Sequence, residues 1–188
     1  EMSASLVGSE MCIRDRNENL LNQLLMRNRQ VYTDSLTKVF NRRYCDDRLR
    51  RLSGEYALAM IDIDNLKQIN DCLGHPAGDT AIYHTAQAIR AILRSQDELV
   101  RYGGDEFLLL FHSLPQNILR RKLEDICRAV RALRVADLPE LRITVSIGGV
   151  YAAGQISELV EKADLALYRA KAQKDSAVLY EEDFHDSE

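Results

Sequence analysis

The chain has 188 residues, of which 46% are hydrophobic and 29% are charged, and these fractions predict one globular domain with a short appendage. The formal net charge of −4 argues against a nucleic-acid-binding groove and against a basic membrane-binding patch. No apolar run is long enough to span a bilayer, so we expect no membrane contact by this segment. The four cysteines have no paired, metal-type spacing, which favours the reducing conditions of the cytoplasm.

Residues 1–16 are interpreted as a non-native segment. The stretch Leu6–Arg16 reads LVGSEMCIRDR, which resembles a translated frame of the transposon-end adapters used in DNA sequencing libraries. A genuine disordered tail is the alternative, and in both cases the segment is left out of the fold prediction. If the segment is an adapter, the natural chain continues upstream, and a sensor or a membrane anchor would belong to that missing region. Residues 183–188 are assigned as a short tail.

Residues 17–32 are predicted to form one helix. Its apolar residues recur at spacings of three and four, which places them on a single stripe: Leu20, Leu21, Leu24, Leu25, Met26 and Val31. A stripe of this kind favours a helical stalk that pairs with a second copy of the chain. A helix that folds back onto the following domain explains the pattern equally well, and the sequence leaves both alternatives open.

Residues 33–182 are predicted to form one α/β domain with a central antiparallel hairpin and helices on the faces of its sheet. The first helix is capped by Asp34 or Thr37 and runs to Leu52. Further helices are expected at 65–72, 80–94, 115–134 and 156–174, and strands at 56–64, 100–111 (the hairpin), 141–150 and 177–180. Residues 73–79 contain two glycines and a proline and are predicted to be a loop.

Two adjacent carboxylates follow the glycine turn of the predicted hairpin. Gly103 and Gly104 form the turn, and Asp105 and Glu106 stand directly before five apolar residues. Like charges side by side repel, and a strand entering a core has no packing reason to carry both. A divalent cation would relieve the repulsion, because such hard oxygen ligands suit Mg²⁺ with phosphates as co-ligands. The paired glycines would let a nucleotide approach the backbone closely. A polar hairpin tip is the plainer alternative.

A second pair of carboxylates lies where the predicted strand 56–64 ends. Period-two alternation puts Asp62 and Asp64 on the same face, and α/β proteins tend to bind ligands at the carboxyl ends of strands. Carboxylates on neighbouring strand ends around divalent metal are what polymerase-like phosphoryl transfer needs, because the metal activates a hydroxyl and neutralises leaving pyrophosphate. Lys67 and Lys171, on flanking helices, are suited to holding the terminal phosphates.

Asn70 and Asp79 carry groups that match the donor edge of guanine. An amide and a carboxylate can accept hydrogen bonds from the guanine N1–H and N2–H groups. Each of these residues also has a purely structural interpretation, with Asp79 as a helix cap and Asn70 as a turn former. Their occurrence together with the two acidic pairs favours a nucleotide site.

From Asp34 to about Tyr180 the chain resembles a GGDEF domain of the diguanylate cyclase family. The motif Gly103-Gly104-Asp105-Glu106-Phe107 is unaltered. The other matching segments are Asp34-Ser35-Leu36-Thr37, Asn41-Arg42-Arg43, Asp62-Ile63-Asp64 with Lys67, Asn70-Asp71, and Gly74-His75 with Gly78-Asp79. The match covers nearly all of the chain outside the adapter-like segment, and its motifs are highly specific in combination.

The resemblance implies a palm-like fold related to nucleotidyl cyclases and a reaction that condenses two GTP molecules into cyclic di-GMP and pyrophosphate. It implies that two Mg²⁺ ions, with Mn²⁺ as an alternative, bind to Asp62, the Ile63 carbonyl, Asp105 and Glu106. Asp105 or Glu106 would then help to deprotonate the ribose 3′-hydroxyl.

The same resemblance implies a set of substrate contacts and a homodimer. Guanine would be bound by Asn70 and Asp79, and phosphates by Lys67 and Lys171, beside the turn Gly103-Gly104. Each domain of this family binds one GTP, so two copies must face each other. The predicted stalk at 17–32 would raise the effective concentration of one half-site for the other.

Arg94 and Asp97 resemble the product-binding inhibitory site of the family, an Arg-x-x-Asp that ends five residues before the GGDEF motif. Arginine offers a planar fork to a phosphate or a guanine edge, and the aspartate can accept from guanine. Such a pair is common at helix ends, so the motif is weak alone. Its offset from Gly103 favours feedback inhibition by cyclic di-GMP.

The chain departs from the family after Lys171. The family follows its late lysine with Gly-Arg-Asn, whereas Lys174, Asp175 and Ser176 stand here. Asp175 would reverse the charge of an arginine near the GTP phosphates, which predicts weak GTP binding and a lower apparent KM in Asp175→Arg. Lys174 lies three residues after Lys171 and is a candidate replacement. Lys38 replaces a usual glycine, and this change is expected to be tolerated.

Two other functions remain open from the sequence. The first is a catalytically silent GGDEF domain that acts as a receptor for GTP or cyclic di-GMP, which Asp175 mildly favours. The second is a plain dimerisation module with solvated carboxylates. The intact residues Asp62, Asp105 and Glu106 favour the cyclase over both.

Overall fold

The computed structural model describes residues 31–181. Its contacts divide the chain into two units, 1–33 and 34–188, and the elements given below all belong to the second. The predictions for residues 1–16 and 183–188, and for all but the last two residues of the stalk, lie outside the described residues. Within residues 31–181 no helix is both long enough and apolar enough to cross a membrane.

A six-stranded mixed sheet with helices on both faces forms the described domain. The strands are β1 (Phe40–Asn41), β2 (Ser53–Ile63), β3 (Glu98–Arg101), β4 (Glu106–Phe111), β5 (Val145–Gln155) and β6 (Ala177–Leu179). The helices are α1 (Arg42–Asp47), α2 (Leu66–Leu73), α3 (His75–Ile92), α4 (Gln116–Arg131) and α5 (Ile156–Gln173), with a short 3₁₀ turn at Leu49–Arg51.

The strand order is β1-β3-β4-β2-β5-β6. The long strand β2 lies near the middle and is antiparallel to both of its neighbours, β4 and β5. Strands β3 and β4 form an antiparallel hairpin, whereas β1 and β6 join the two edges in parallel. The predicted α/β class with a central antiparallel hairpin and flanking helices is therefore confirmed.

Residues of β2 alternate between two hydrophobic cores, one on each face of the sheet. Ala59 and Ile61 belong to the core beneath α3 and α4, whereas Leu58 and Met60 belong to the core beneath α5. This alternation is the period of two that an extended strand imposes, and it makes β2 apolar on both faces. Continuing it by one step directs Asp62 to the face that α5 covers.

The helix α3 begins earlier than the sequence predicts. Residues 73–79 were expected to form a loop, but α3 starts at His75 and contains both Pro76 and Gly78. Proline is tolerated there because the first turn of a helix has no intrahelical partner for its N–H groups. Gly78 is needed for packing and not for a turn, because a Cβ on it would lie 1.9 Å from Asn70 Oδ1 of α2.

Two further boundaries differ from the prediction. The first helix starts at Arg42 and is capped by Asn41, whose side chain accepts from the Tyr44 N–H at 3.1 Å. Asp34 instead closes a turn by accepting from the N–H and the hydroxyl of Thr37 at 2.8 and 2.7 Å. Strand β5 spans 145–155 and not 141–150, because it follows β2 over the full length of their register.

Candidate active site

The hairpin and β2 bring acidic residues together at one end of the sheet. Asp62 stands directly opposite Glu106 in the β2–β4 register. The Ile63 N–H donates to the Asp105 carbonyl at 3.2 Å, which continues the pairing past the end of β4. Asp62 is 8% exposed, whereas Asp105 and Glu106 are half-buried. The predicted metal-binding residues therefore share one strand end.

Lys171 of α5 reaches into this acidic group and donates to Asp62 Oδ2 at 2.8 Å. Burial raises the pKa of Asp62, its hydrogen bond with Lys171 lowers it, and the charges of Asp105 and Glu106 raise it again, so the net pKa is raised. Burial lowers the pKa of Lys171. Its hydrogen bond with Asp62 and the charges of three carboxylates outweigh this effect, so the net pKa of Lys171 is raised. The lysine therefore remains charged within the acidic group.

Asp164, which no motif in the sequence indicated, belongs to the same electrostatic group. It lies on α5 seven residues before Lys171, a spacing of two helical turns that puts both on one face. Asp164 is exposed at the surface, yet the surrounding protein raises its pKa, the charge of Glu106 raises it further, and Lys171 lowers it. The i, i+7 spacing from Lys171 was the signal that could have identified it.

These residues fit a divalent cation by their chemistry. The carboxylates of Asp62, Asp105, Glu106 and Asp164 surround one ammonium group, so the group carries excess negative charge and hard oxygen donors. Within residues 31–181, no three His, Cys, Asp or Glu side chains lie close enough together to hold a metal ion as they stand. Lys171 is the cation that now balances Asp62, and a metal ion would compete with it.

The glycine turn leaves room for Glu106. A Cβ built on Gly103 would lie 2.5 Å from Glu106 Oε2, so a side chain there would displace the carboxylate. No described atom lies within 4 Å of the corresponding position on Gly104, which leaves that side of the hairpin tip open. The turn therefore leaves space for the Glu106 carboxylate and exposes backbone at Gly104, and the nucleotide contact of this tip stays a prediction.

Arg101, which the sequence analysis did not single out, fixes the hairpin tip to the start of the domain. Its guanidinium donates to the Gly104 carbonyl at 2.8 Å and to Asp34 Oδ1 at 3.2 Å. Burial raises the pKa of Asp34, but hydrogen bonds from Thr37 and the charge of Arg101 lower it more, so its net pKa is below the ordinary value. Arg101 thus bridges two turns that are far apart in sequence.

The predicted guanine-binding residues meet where α2 packs against α3. Asn70 is half-buried on α2, and its side chain lies against Gly78 of α3. Asp79 follows Gly78 directly and is exposed. Lys67 is exposed in the first turn of α2, four positions after the end of β2. The amide of Asn70, the carboxylate of Asp79 and the ammonium group of Lys67 therefore lie on two consecutive helices, of which α2 directly follows the end of β2.

Arg94 and Asp97 form a turn that leads into β3. Asp97 Oδ2 accepts from the Arg94 N–H at 3.0 Å, and Oδ1 accepts from the His112 N–H at 3.4 Å. Asp97 is half-buried, whereas Arg94 is exposed. The four residues of β3 separate this turn from the hairpin tip, so the two predicted sites lie at opposite ends of one short strand.

Asp64 and Asp175 have structural partners of their own. Asp64 is 6% exposed and accepts from the hydroxyls of Thr144 and Ser146 at 2.7 and 2.6 Å and from the Asp175 N–H at 2.9 Å. The Asp175 carboxylate lies against Arg131 of α4. Asp64 is thus occupied as a buried acceptor, and the carboxylate of Asp175 is directed at α4.

Residues 31–177 match the family model described as "Diguanylate cyclase, GGDEF domain", and the chain belongs to this family. The chain is 34% identical over 148 residues to the probable diguanylate cyclase DgcC of Escherichia coli K12, covering 73% of this chain and 40% of DgcC. It is 34% identical over 173 residues to the diguanylate cyclase TpbB of Pseudomonas aeruginosa, covering 86% of this chain and 38% of TpbB. The chain thus spans about 40% of the length of these relatives.

Solved structures confirm the palm-like nucleotidyl-cyclase fold. The coiled coil and GGDEF domain of DgcB from Caulobacter crescentus, solved in complex with c-di-GMP, superposes with a TM-score of 0.80 at 28% identity, covering 93% of this chain and 99% of that one. The diguanylate cyclase SiaD of Pseudomonas aeruginosa, solved with its activator SiaC, gives a TM-score of 0.78 at 34% identity, covering 92% of this chain and 71% of SiaD.

Proposed function

We propose that the chain is the catalytic part of a diguanylate cyclase, which condenses two GTP molecules into cyclic di-GMP and two pyrophosphates. The observation that carries the proposal is the pairing of Asp62 with Glu106 on neighbouring strands, with Lys171 bound between the acidic groups. Nothing in the packing of either hydrophobic core requires this concentration of charge. Family membership supports the same reaction.

Two Mg²⁺ ions, or Mn²⁺ in their place, would be held by Asp62, the Ile63 carbonyl, Asp105 and Glu106. When bound, such ions lower the pKa of an attacking hydroxyl and neutralise the charge of departing pyrophosphate. Asp105 or Glu106 accepts the proton of the ribose 3′-hydroxyl. Lys171, already within hydrogen-bond distance of the acidic group, binds the terminal phosphates.

Guanine is bound between α2 and α3. Asn70 and Asp79 accept from the base N–H groups, and the contact of Asn70 with Gly78 fixes the direction of its amide. Lys67, exposed in the first turn of α2, contributes a second phosphate contact. The exposed face of Gly104 gives the nucleotide access to the hairpin backbone.

The reaction requires a homodimer, because each domain holds one GTP and two phosphodiester bonds must form. The 3′-hydroxyl of one nucleotide attacks the α-phosphate of the other, so the two half-sites face each other. A stalk at 17–32 would hold the copies together. Since GTP is drawn from the cytoplasmic pool, the proposal places the domain in the cytoplasm.

Cyclic di-GMP inhibits the enzyme through Arg94 and Asp97. Arg94 is exposed and offers its guanidinium to a phosphate or a guanine edge. Asp97 holds the turn through two backbone N–H groups, and its carboxylate would also receive the guanine donors. Because β3 connects this turn to the hairpin tip, product bound here lies one short strand away from the reacting groups.

The first experiment incubates the full chain with GTP and Mg²⁺ at high protein concentration and measures cyclic di-GMP and pyrophosphate. Glu106→Gln keeps the shape of the side chain and removes its charge, and we expect product formation to fall by about 10²-fold or more. Added cyclic di-GMP should inhibit the parent but not Arg94→Ala, with Arg90→Ala, an exposed arginine in the last turn of the preceding helix α3, as the matched control. A parent that binds GTP and dimerises without forming product would refute the cyclase and support the receptor.

A further inference from the structure

The end of α5 is joined to the loop that follows β2 by three polar contacts. Asp62 and Ile63, two of the proposed metal-binding residues, end β2, and the loop that follows them leads into α2. The contacts are Lys171 Nζ to Asp62 Oδ2 at 2.8 Å, Lys174 Nζ to Asn65 Oδ1 at 2.7 Å, and the Asp175 N–H to Asp64 Oδ2 at 2.9 Å. The position of the helix end therefore determines where Lys171 meets the acidic group.

The turn formed by residues 174–176 has an unfavourable backbone. Lys174 has a φ of 55° and Asp175 a φ of 46°, so two consecutive non-glycine residues have the positive φ that favours glycine. Aspartate tolerates this conformation better than most residues, whereas lysine does not. The resemblance described above sets Lys174 where glycine is usual, and without a glycine the turn needs another means of being held.

Arg131 supplies that means from the opposite face of the sheet. Its Nε donates to Asp175 Oδ2 at 2.5 Å, and its Nη2 donates to the Asp175 carbonyl at 3.3 Å. The helix α4 that carries Arg131 is anchored in the core by Ile126 and Val130, which are both fully buried. One guanidinium therefore binds both the side chain and the backbone of the same turn residue, which a lysine cannot reproduce.

We propose that Arg131 and Asp175 form a positioning pair that holds the 174–176 turn and thereby places Lys171 for the GTP phosphates. This inference rests on the proposed function. It assigns Asp175 a role different from the sequence-based expectation, in which its charge acts directly on the phosphates. Neither member of the pair touches the substrate; both act through the position of the helix end.

The two interpretations predict opposite effects of Asp175→Arg. If Asp175 only repels phosphate, the substitution lowers the apparent KM for GTP. If Asp175 pairs with Arg131, the substitution places two guanidinium groups together and puts a residue poorly suited to a positive φ into the turn. We therefore expect Asp175→Arg to raise the KM.

The test uses the full chain in four forms: parent, Arg131→Ala, Arg131→Lys and the control Arg128→Ala. Arg128 lies on the same helix, and its ion pair within residues 31–181 is local, with Asp125 at 2.8 Å. The first measurement is equilibrium binding of a non-hydrolysable GTP analogue with Mg²⁺, together with KM and kcat. The second is hydrogen exchange of the peptide that contains the Asp175 amide, which needs no nucleotide.

We expect Arg131→Ala to weaken analogue binding roughly tenfold, to raise KM with a much smaller change in kcat, and to speed exchange at the Asp175 amide. Arg131→Lys should lie between parent and alanine variant, and Arg128→Ala should match the parent. Parent-like binding and exchange in Arg131→Ala would overturn the pair and leave the cyclase intact. A parent that binds GTP and dimerises without forming product, together with a binding defect in Arg131→Ala, would support the pair and refute the cyclase. A parent that does not bind GTP would refute both.

Discussion

Gly148 controls how closely α5 approaches the sheet. A Cβ built on this residue of β5 would lie 2.1 Å from the Ala163 carbonyl oxygen, 2.1 Å from the Leu167 nitrogen and 2.7 Å from the Leu167 Cα. These are backbone atoms of the helix, so rotation of a side chain cannot relieve the contact. Gly148→Ala must therefore move α5 as a body.

The size of the movement follows from the contact distances. Ordinary contact begins at 3.4 Å, so a separation of 2.1 Å requires a shift of about 1.3 Å. Overpacking of this kind costs about 1–3 kcal/mol, and each kcal/mol lowers the Tm of a domain of this size by about 2–4 °C. Lys171 lies on the same helix, one turn beyond Leu167, and its 2.8 Å contact with Asp62 would be lost.

Gly149→Ala is the matched control. The atoms nearest to its Cβ would be methyl carbons of Leu123 and Leu179, at 2.4 and 2.9 Å, which belong to side chains on the opposite face of the sheet and can rotate. Thermal unfolding and GTP titration of both variants then separate stability from site geometry. We expect Gly148→Ala to lower Tm and raise KM, and Gly149→Ala to lower Tm less and keep the parental KM. An unchanged KM in Gly148→Ala would refute the argument that helix position determines phosphate binding.

Three further predictions concern other parts of the domain. Arg101→Ala should lower the free energy of unfolding at pH 7 by about 1–2 kcal/mol. Because the pKa of Asp34 is lowered in the folded protein, the stability difference between parent and variant should shrink as the pH falls below 3.8 and Asp34 becomes protonated. A difference in urea unfolding that does not change with pH would contradict the ion pair. Gly78→Ala should displace the Asn70 amide and raise the KM for GTP several-fold, with kcat nearly unchanged. If the variant and the parent have the same KM, Asn70 does not bind guanine. Burial raises the pKa of Cys127 to about 12, so its thiol should resist iodoacetamide at pH 8 until the protein is unfolded. Mass-spectrometric detection of labelled Cys127 in the native protein would contradict this prediction.

The hairpin and its acidic tip were predictable because their signals are local. Gly103 and Gly104 specify the turn, and the apolar run after Glu106 specifies the strand. The pairing of Asp62 with Glu106 follows once two buried strands are placed side by side, since both carboxylates stand at the ends of their apolar runs. The start of α3 was wrong because a proline and a glycine were interpreted as breakers, whereas Pro76 occupies a first turn.

The remaining contacts depend on residues far apart in sequence. Arg101 and Asp34 are 67 residues apart, and Arg131 and Asp175 are 44 apart. Neither pair has a periodicity or a motif, so only the folded topology brings the partners together. For the same reason the sequence places Asp64 beside Asp62 as one of a pair of strand-end carboxylates, although three donors already occupy it in the structure.

Both lysines that replace a family glycine are in the left-handed region, Lys38 at a φ of 62° and Lys174 at 55°. Each lies beside an aspartate–arginine pair, Asp34 with Arg101 and Asp175 with Arg131. If the pair offsets the unfavourable backbone, restoring glycine should make it dispensable. We expect Lys174→Gly to suppress most of the GTP-binding defect of Arg131→Ala, a coupling that a double-mutant cycle measures directly. Additive effects would mean that Arg131 acts independently of the turn conformation, and the positive φ of Lys174 would then have no part in placing Lys171.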